Sequence, residues 1–218
     1  MWLIQRLYNS QKSFGQMKYN PMVNYSNIIA DTNSKMFNVR DEYKDNTVEE
    51  NIEICKVDRL PFSVGCINIT GELNIGMMLR SASLMGAENF YIFGRKKFDK
   101  RSTVGAEKYM NIVQYPFDDP LTADEDMCDA LCALQMMKNY HIVLCEHGGR
   151  SVGLGRNTWW DVQNPLFLFG SESHGIPEVI CKQFDSVTIP QRGVLRSFNV
   201  SAAMNILVWD YIKEVQGV

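Results

Sequence analysis

Short apolar runs of strand length alternate with longer runs of helical periodicity along residues 62–216, and this alternation limits the fold more than any other feature. The strand-like runs are apolar at odd and even positions alike, as in strands that are buried on both faces. Six strands are predicted, at residues 63–70, 89–94, 111–115, 141–146, 166–170 and 186–190. Four helices are predicted, at residues 74–85, 124–139, 177–183 and 199–214. The pattern predicts an α/β fold with a mostly parallel six-stranded sheet and helices on both faces.

The last predicted helix, residues 199–214, has the clearest periodicity. Its apolar residues recur at spacings of three and four, which predicts one buried face made of Val200, Ala203, Met204, Leu207, Val208 and Tyr211. Ser197 and Asn199 stand where an N-cap belongs, and a side-chain oxygen there accepts hydrogen bonds from the first helical N–H groups. Capping alone is a sufficient explanation for either residue taken singly.

Residues 1–58 differ from the rest of the chain because they are polar and rich in Asn, Tyr, Lys and Asp. We predict a partly flexible N-terminal extension at 1–58, with a short amphipathic helix near residues 2–8, followed by one domain at 59–218. Within the extension, residues 38–50 are charged enough for a solvated helix or a linker. The 218 residues, 45% of them apolar, suffice for one good hydrophobic core.

Composition excludes several classes of protein. The formal net charge is −3, so any nucleic acid would have to contact a local basic patch. The six cysteines form no C-x-x-C pair and the three histidines lack ligand spacing, so we expect no bound metal. Without a long apolar span or a secretory signal, we expect no membrane partner and an intracellular protein. The cytoplasm is the favoured compartment, and the nucleus stays open.

Two groups of cations depart from the packing pattern. Arg80 lies in an apolar helical stretch that Asn74 can cap, and its guanidinium either reaches out to solvent or is aimed at a phosphate or carboxylate. Residues 95–101 contain five cations: Arg95, Lys96, Lys97, Lys100 and Arg101. Such a run is commonly a solvated loop. In an acidic chain it is also the best candidate for contact with an RNA phosphate backbone.

Two further loops follow predicted strands, where ligands of parallel sheets usually bind. Residues 145–155 are rich in glycine but lack the spacing of a Walker A loop or a dinucleotide fingerprint. In the other loop, Glu172 stands between Gly170 and Gly175 and shortly before a helix. A tight turn explains that arrangement, and so does a carboxylate stabilised by the helix dipole.

Three ordered motifs in these loops resemble those of the SpoU (TrmH) family of RNA ribose 2′-O-methyltransferases. They are N-x-G-x-x-x-R from Asn74 to Arg80, G-x-E-x-x-G from Gly170, and I-P-x-x-G-x-x-x-S-x-N from Ile189 to Asn199. The resemblance covers about residues 62–213. Arg196 before the serine and the Leu-Val-Trp-Asp-Tyr segment that ends at Tyr211 are most similar to the eukaryotic-type branch, which modifies a guanosine in the D loop of tRNA.

The resemblance implies an α/β knot (SPOUT) fold with a C-terminal trefoil knot, a homodimer, RNA as partner and S-adenosyl-L-methionine (AdoMet) as cofactor. The catalytic residues it implies are Arg80, Asn74, Glu172, Ser197 and Asn199. The cofactor contacts it implies are Glu146, Gly148, Gly170, Ile189 and Phe198. Alongside the cations of residues 95–101, Arg150 and Arg156 are predicted RNA contacts.

Two positions depart from the family pattern without touching the catalytic set: Phe198 replaces a usual leucine and Gln191 a common methionine. We expect Arg80 to clamp a substrate phosphate and stabilise the developing alkoxide, with Ser197 and Asn199 fixing its orientation. Three alternatives stay open: a knotted RNA-binding dimer that no longer methylates, a SPOUT enzyme acting on a base nitrogen, and an rRNA substrate.

Overall fold

The computed structural model describes residues 38–67, 69–117, 121–151 and 158–217, with only the backbone of Arg150 and Ser151. The predicted amphipathic helix at residues 2–8 and the predicted RNA contact Arg156 lie outside the described residues.

The described strands form one parallel sheet in the order β3-β2-β1-β5-β4-β6. They are β1 (Ser63–Ile67), β2 (Asn89–Phe93), β3 (Asn111–Tyr115), β4 (His141–Ser151), β5 (Pro165–Phe169) and β6 (Asp185–Thr188). The predicted six-stranded sheet is therefore confirmed. Since every pair is parallel, the carboxyl ends of all six strands lie at one edge, which is where loops can build a ligand site. The trefoil knot stays a prediction.

The described α-helices are α1 (Val48–Lys56), α2 (Glu72–Leu84), α3 (Lys100–Thr103), α4 (Ala123–Lys138), α5 (Glu178–Cys181) and α6 (Val200–Gln216). Two short 3-10 segments, Asp41–Tyr43 and Ala106–Lys108, accompany them. The predicted cap of α2 was wrong. That helix begins at Glu72 with Gly71 as N-cap, so Asn74 is its third residue and its side chain is available for another contact.

Helices cover both faces of the sheet, as predicted. On one face α2 packs against α6, and residues such as Met78, Leu79 and Met204 join the first hydrophobic core. On the other face α4 and α5 supply Met127, Leu131 and Ile180 to the second. The predicted face of α6 is confirmed as buried, except that Ala203 is only half-buried: Val200, Met204, Leu207, Val208 and Tyr211.

The described part of the predicted extension contains α1 and contacts the rest of the domain. Thr47 and Glu50 form a reciprocal capping box that starts this helix. Asn51 is buried, donates to the Tyr43 carbonyl at 2.9 Å and shares a side-chain hydrogen bond with Tyr109. The helix α1 thus contacts the rest of the domain through Asn51, and the boundary at residue 58 stays a prediction. Among the residues that the structure describes, no helix has the length and apolarity to cross a membrane.

Candidate active site

Three loops at the carboxyl edge of the sheet meet through a chain of side-chain hydrogen bonds. Asn199 Nδ2 donates to Asn74 Oδ1 at 3.1 Å, across 125 positions of sequence. Asn74 Nδ2 in turn donates to the Glu172 carboxylate, across 98 positions. One residue from each of the three sequence motifs therefore takes part, and we call this set the Asn199–Asn74–Glu172 chain.

The direction of this chain follows from the cap of α6. Asn199 is the N-cap, and its Oδ1 accepts hydrogen bonds from the backbone N–H groups of Ser201 at 3.0 Å and Ala202 at 3.4 Å. Backbone N–H groups only donate, so the amide oxygen of Asn199 must face them. Its NH2 group then faces the oxygen of Asn74, whose own NH2 group remains for Glu172. The helix start thus sets which atoms of all three side chains face one another.

Arg80 lies six residues beyond Asn74 on α2, with its side chain exposed. The expectation that Asn199 orients Arg80 differs from the structure, because the amide of Asn199 is used by the α6 cap and by Asn74. Within the described residues no hydrogen bond or ion pair holds the Arg80 guanidinium. Ser197 is exposed and lines the cavity described next.

A cavity of about 490 Å³, the first cavity, opens between the carboxyl ends of β4, β5 and β6 and the start of α6. The structure brings all five predicted cofactor-contacting residues into its wall: Glu146, Gly148, Gly170, Ile189 and Phe198. Glu172 and Ser197 also line it. All five predicted cofactor contacts and two of the five predicted catalytic residues therefore line one cavity. The other three, Arg80, Asn74 and Asn199, are not among its lining residues.

The turn of residues 171–175 forms one wall of this cavity and depends on glycine for its shape. Its ends are joined by two backbone hydrogen bonds between Ser171 and Gly175, at 2.9 and 3.2 Å. A Cβ on Gly170 would lie 2.3 Å from the Gly175 carbonyl carbon, and one on Gly175, whose φ is +69°, would lie 2.6 Å from Glu146 Oε1. Substitution at Gly170 must therefore displace backbone, whereas substitution at Gly175 would strain a left-handed backbone conformation and push the Glu146 carboxylate aside.

Glu146 braces the same turn from β4. Its Oε1 accepts a hydrogen bond from the Ile176 backbone N–H at 2.8 Å, and its Oε2 accepts one from His147 N–H at 3.2 Å. Two cysteines that the sequence analysis did not single out also line the cavity. Burial, with a smaller contribution from Glu146, raises the pKa of Cys145 to about 12, and burial likewise raises the pKa of Cys181. Both are therefore neutral thiols, and neither is an activated nucleophile.

The first cavity fits a nucleoside cofactor with a cationic centre. Phe169, Ile189 and Phe198 give it apolar surface, and the glycine-containing turn lets main-chain groups come close. The carboxylate of Glu172 lines it as well and favours a positively charged ligand, whereas Glu178 forms an ion pair with Lys182 at 2.6 Å and Arg196 adds one cation. Among the described residues no cluster of three His, Cys, Asp or Glu side chains could hold a metal ion.

Of the five cations of residues 95–101, Arg95, Lys96 and Lys97 lie between β2 and α3, and Lys100 and Arg101 begin α3; all five side chains are exposed. Arg101 forms a bidentate ion pair with Asp99, with a shortest N–O distance of 2.6 Å. These hydrogen bonds from Arg101 lower the pKa of Asp99. Part of the charge counted from sequence is thus neutralised locally. Arg150 lies in β4 after the register shift that separates Cys145 from it.

A parallel sheet with motif residues gathered at its carboxyl edge beside one cavity is the arrangement that the resemblance to the SpoU family implies. Residues 61–209 match the SpoU rRNA Methylase family, so the chain belongs to that family. It is 26% identical over 148 residues to mouse tRNA (guanosine(18)-2′-O)-methyltransferase TARBP1. That match covers 65% of this chain but 9% of TARBP1.

Solved structures show the same fold. The A. aeolicus TrmH/SpoU tRNA modifying enzyme superposes with a TM-score of 0.60 at 18% identity, over 78% of this chain and 85% of that one. The SpoU methyltransferase AviRb from Streptomyces viridochromogenes, in complex with AdoMet, gives a TM-score of 0.56 at 22% identity. That likeness covers 73% of this chain and 58% of AviRb, so the chain spans less than two thirds of AviRb.

Proposed function

We propose that this protein transfers a methyl group to a ribose 2′-hydroxyl of RNA, with a guanosine of tRNA as the favoured target. Its family is one of RNA methyltransferases that use AdoMet, and this gives the class of reaction and the methyl donor. The observation that carries the proposal is the Asn199–Asn74–Glu172 chain, which links all three motifs at the first cavity. The likeness to TARBP1 supports tRNA and guanosine.

The task of the protein in this reaction is mainly positioning. AdoMet, when bound, supplies a methyl group on a positively charged sulfur. The hydroxyl must be aligned with that methyl group and must lose its proton as attack proceeds. Glu172, held by Asn74 at the cavity wall, accepts a hydrogen bond from the incoming hydroxyl and takes its proton as the oxygen bonds to the methyl carbon and the carbon–sulfur bond breaks. Arg80 clamps the neighbouring phosphate and stabilises the alkoxide charge that develops, since a guanidinium keeps its proton and forms forked hydrogen bonds.

Labelled-methyl transfer to total tRNA and to rRNA tests this function, followed by mapping of the modified nucleotide. We expect a nuclease-resistant 2′-O-methylated dinucleotide that contains guanosine. A methylated base would instead support an enzyme that acts on a base nitrogen. Label in rRNA and not in tRNA would show that the substrate is rRNA. Cofactor binding without transfer to any RNA would support the RNA-binding dimer.

Arg80→Lys tests the clamp, because lysine keeps the charge but loses the fork. We expect turnover to fall by roughly 100-fold, the scale for losing one donor to a developing oxyanion, with AdoMet affinity unchanged. Near-full turnover of this variant would contradict the clamp.

We further propose a homodimer formed through α2 and α6. Leu73 and Met77 follow one another on one exposed side of α2, and Ile206 and Trp209 are exposed on the adjoining α6. Contiguous exposed apolar side chains of this kind are typical of interaction surfaces. Sedimentation should give twice the chain mass, and Trp209→Asp with Met77→Glu should give the single mass. A wild-type monomer would contradict this arrangement.

A further inference from the structure

A second cavity, of about 670 Å³, adjoins the first at the same edge of the sheet. The two share Ser171, Ser173, His174 and Gly175, so the 171–175 turn is their common wall. The remaining walls come from the carboxyl ends of β1, β2 and β3 and from the start of α4. Its volume is within the range of roughly 300–1,000 Å³ that is usual for small-ligand sites.

The lining of the second cavity has the two chemical features that a nucleotide requires. Ile69 and Ile92 give an apolar floor, and the half-buried ring of Phe117 gives an aromatic surface. Arg95 and Lys96 add two cations, and Asp124 at the start of α4 adds one carboxylate. A nucleotide combines a flat aromatic base, which stacks on such rings, with an anionic phosphate, which such cations bind.

The backbone that carries these two cations is anchored from inside the protein. Gln114 is only 5% exposed, and its Nε2 donates to the carbonyl oxygens of Gly94 at 2.9 Å and Lys96 at 3.1 Å. Arg95 Nε donates to the Phe117 carbonyl oxygen at 3.1 Å, which ties the cation to the aromatic residue. A charge run that serves solubility alone needs no buried amide to fix it. Arg95 and Lys96 are thus held in place at the cavity.

Lys97 and Lys100 belong to the same segment but are not among the lining residues of either cavity described here. Both are exposed. Arg95 and Lys96 thus line the second cavity, whereas Lys97 and Lys100 do not. Removing the second pair changes the charge of the segment by the same amount and serves as the control for removing the first.

We propose that the second cavity binds one nucleotide of the RNA substrate, next to the ribose that is methylated. Its base lies against Phe117 and its phosphate lies at Arg95 and Lys96. This assignment rests on the proposed function. The 171–175 turn then sets the spacing between the bound nucleotide and Glu172, which lines the first cavity on the opposite side of the turn.

The cations are tested by comparing the double variant R95Q/K96Q with K97Q/K100Q. Each removes two charges, so the long-range attraction of RNA falls about equally in both. The probe is a fluorescent unmodified tRNA transcript, and its binding is measured by anisotropy over a range of salt concentrations. We expect R95Q/K96Q to bind at least tenfold more weakly than K97Q/K100Q. Equal losses in the two variants would overturn the site.

The aromatic surface is tested by Phe117→Leu and Phe117→Tyr. Leucine keeps the apolar packing against the second core but removes the ring, whereas tyrosine keeps the ring. We expect Phe117→Leu to raise the KM for RNA by roughly 5- to 150-fold, the range for loss of one stacked base. Phe117→Tyr should stay near wild type, and calorimetry should give an unchanged AdoMet affinity for both. If the two variants behave alike, no base lies against Phe117.

The two proposals can fail separately. A wild-type protein that binds tRNA but transfers no methyl group would refute the proposed function, while the anisotropy comparison would still decide the nucleotide site. Normal methylation with equal losses in the paired variants would keep the function and overturn the site.

Discussion

Asn199 connects the stability of α6 to the position of the Glu172 carboxylate, and substitutions can separate these two effects. Its Oδ1 caps the helix through Ser201 and Ala202, while its Nδ2 holds Asn74 against Glu172. Alanine removes both interactions. Aspartate keeps an oxygen for the cap and adds a negative charge at the helix start, where it is favourable, but it cannot donate to Asn74.

The expected stability changes follow from these contacts. Asn199→Ala loses an N-cap, at about 1 kcal/mol, and an exposed side-chain hydrogen bond, at about 0.5 kcal/mol. For a chain of this size a loss of about 1.5 kcal/mol lowers the melting temperature by roughly 3–6 °C. Asn199→Asp should stay within about 0.5 kcal/mol of wild type because the cap is retained.

The expected effect of Asn199→Asp on catalysis is larger. The new carboxylate draws the NH2 group of Asn74 toward itself, so the oxygen of Asn74 turns toward Glu172. A hydrogen bond to a charged group contributes about 1.5–3 kcal/mol, which corresponds to a fall in kcat of roughly 10- to 150-fold. Thermal melting and initial methyl-transfer rates at saturating AdoMet measure the two effects. Asn199→Asp with wild-type melting and wild-type kcat would refute a positioning role for the chain.

Two further predictions concern the cavity wall and α4. Gly170→Ala places a methyl group 2.3 Å from the Gly175 carbonyl carbon, so the AdoMet affinity measured by calorimetry should fall at least tenfold. Gly193→Ala is the control, because no atom lies within 4 Å of the added group, and its AdoMet affinity should be unchanged. Equal affinities in the two variants would show that the turn does not shape the site. A hydrogen bond from Cys128 lowers the pKa of Cys132 to about 7, so roughly half of this thiol is thiolate at neutral pH. The rate at which iodoacetamide alkylates Cys132 should therefore stop rising above about pH 8. Cys128→Ala should move that profile to higher pH, and an unmoved profile would exclude the hydrogen bond as its cause.

An uninterrupted apolar run leaves little freedom in where a strand lies, so β2 and β5 lie within one residue of their predicted bounds and β6 within two. β1 ends at Ile67, three residues before its predicted end. β3 has the predicted bounds. β4 was predicted to end at Glu146 but continues to Ser151. Its last residues are polar and contain glycine, and they pair with β6 only after a register shift. That pairing depends on a partner strand more than 30 residues away, so local composition does not reveal it.

The gathering of the motif residues followed from parallel strands whose carboxyl ends share one edge, although the individual roles of these residues stay predictions. Side-chain partners were harder to predict. Asparagine is favoured at helix N-caps, but Asn74 lies inside α2, where its side chain donates a hydrogen bond to Glu172 instead. Gln114 lies within β3, and a single glutamine in a strand carries no signal that it holds the loop of Arg95. Such contacts depend on tertiary distance, which periodicity does not contain.

The 171–175 turn has a thermodynamic consequence, since one five-residue segment is exposed to a ligand on either side. A molecule seated in either cavity that shifts Ser171 or Gly175 alters the shape offered to the other. Linkage then requires reciprocity: whatever factor AdoMet contributes to RNA affinity, RNA must contribute the same factor to AdoMet affinity. Glu146 already supports the 171–175 turn by accepting a hydrogen bond from the Ile176 N–H. A substitution that makes this turn more rigid would weaken the coupling between the two sites without removing a direct ligand contact.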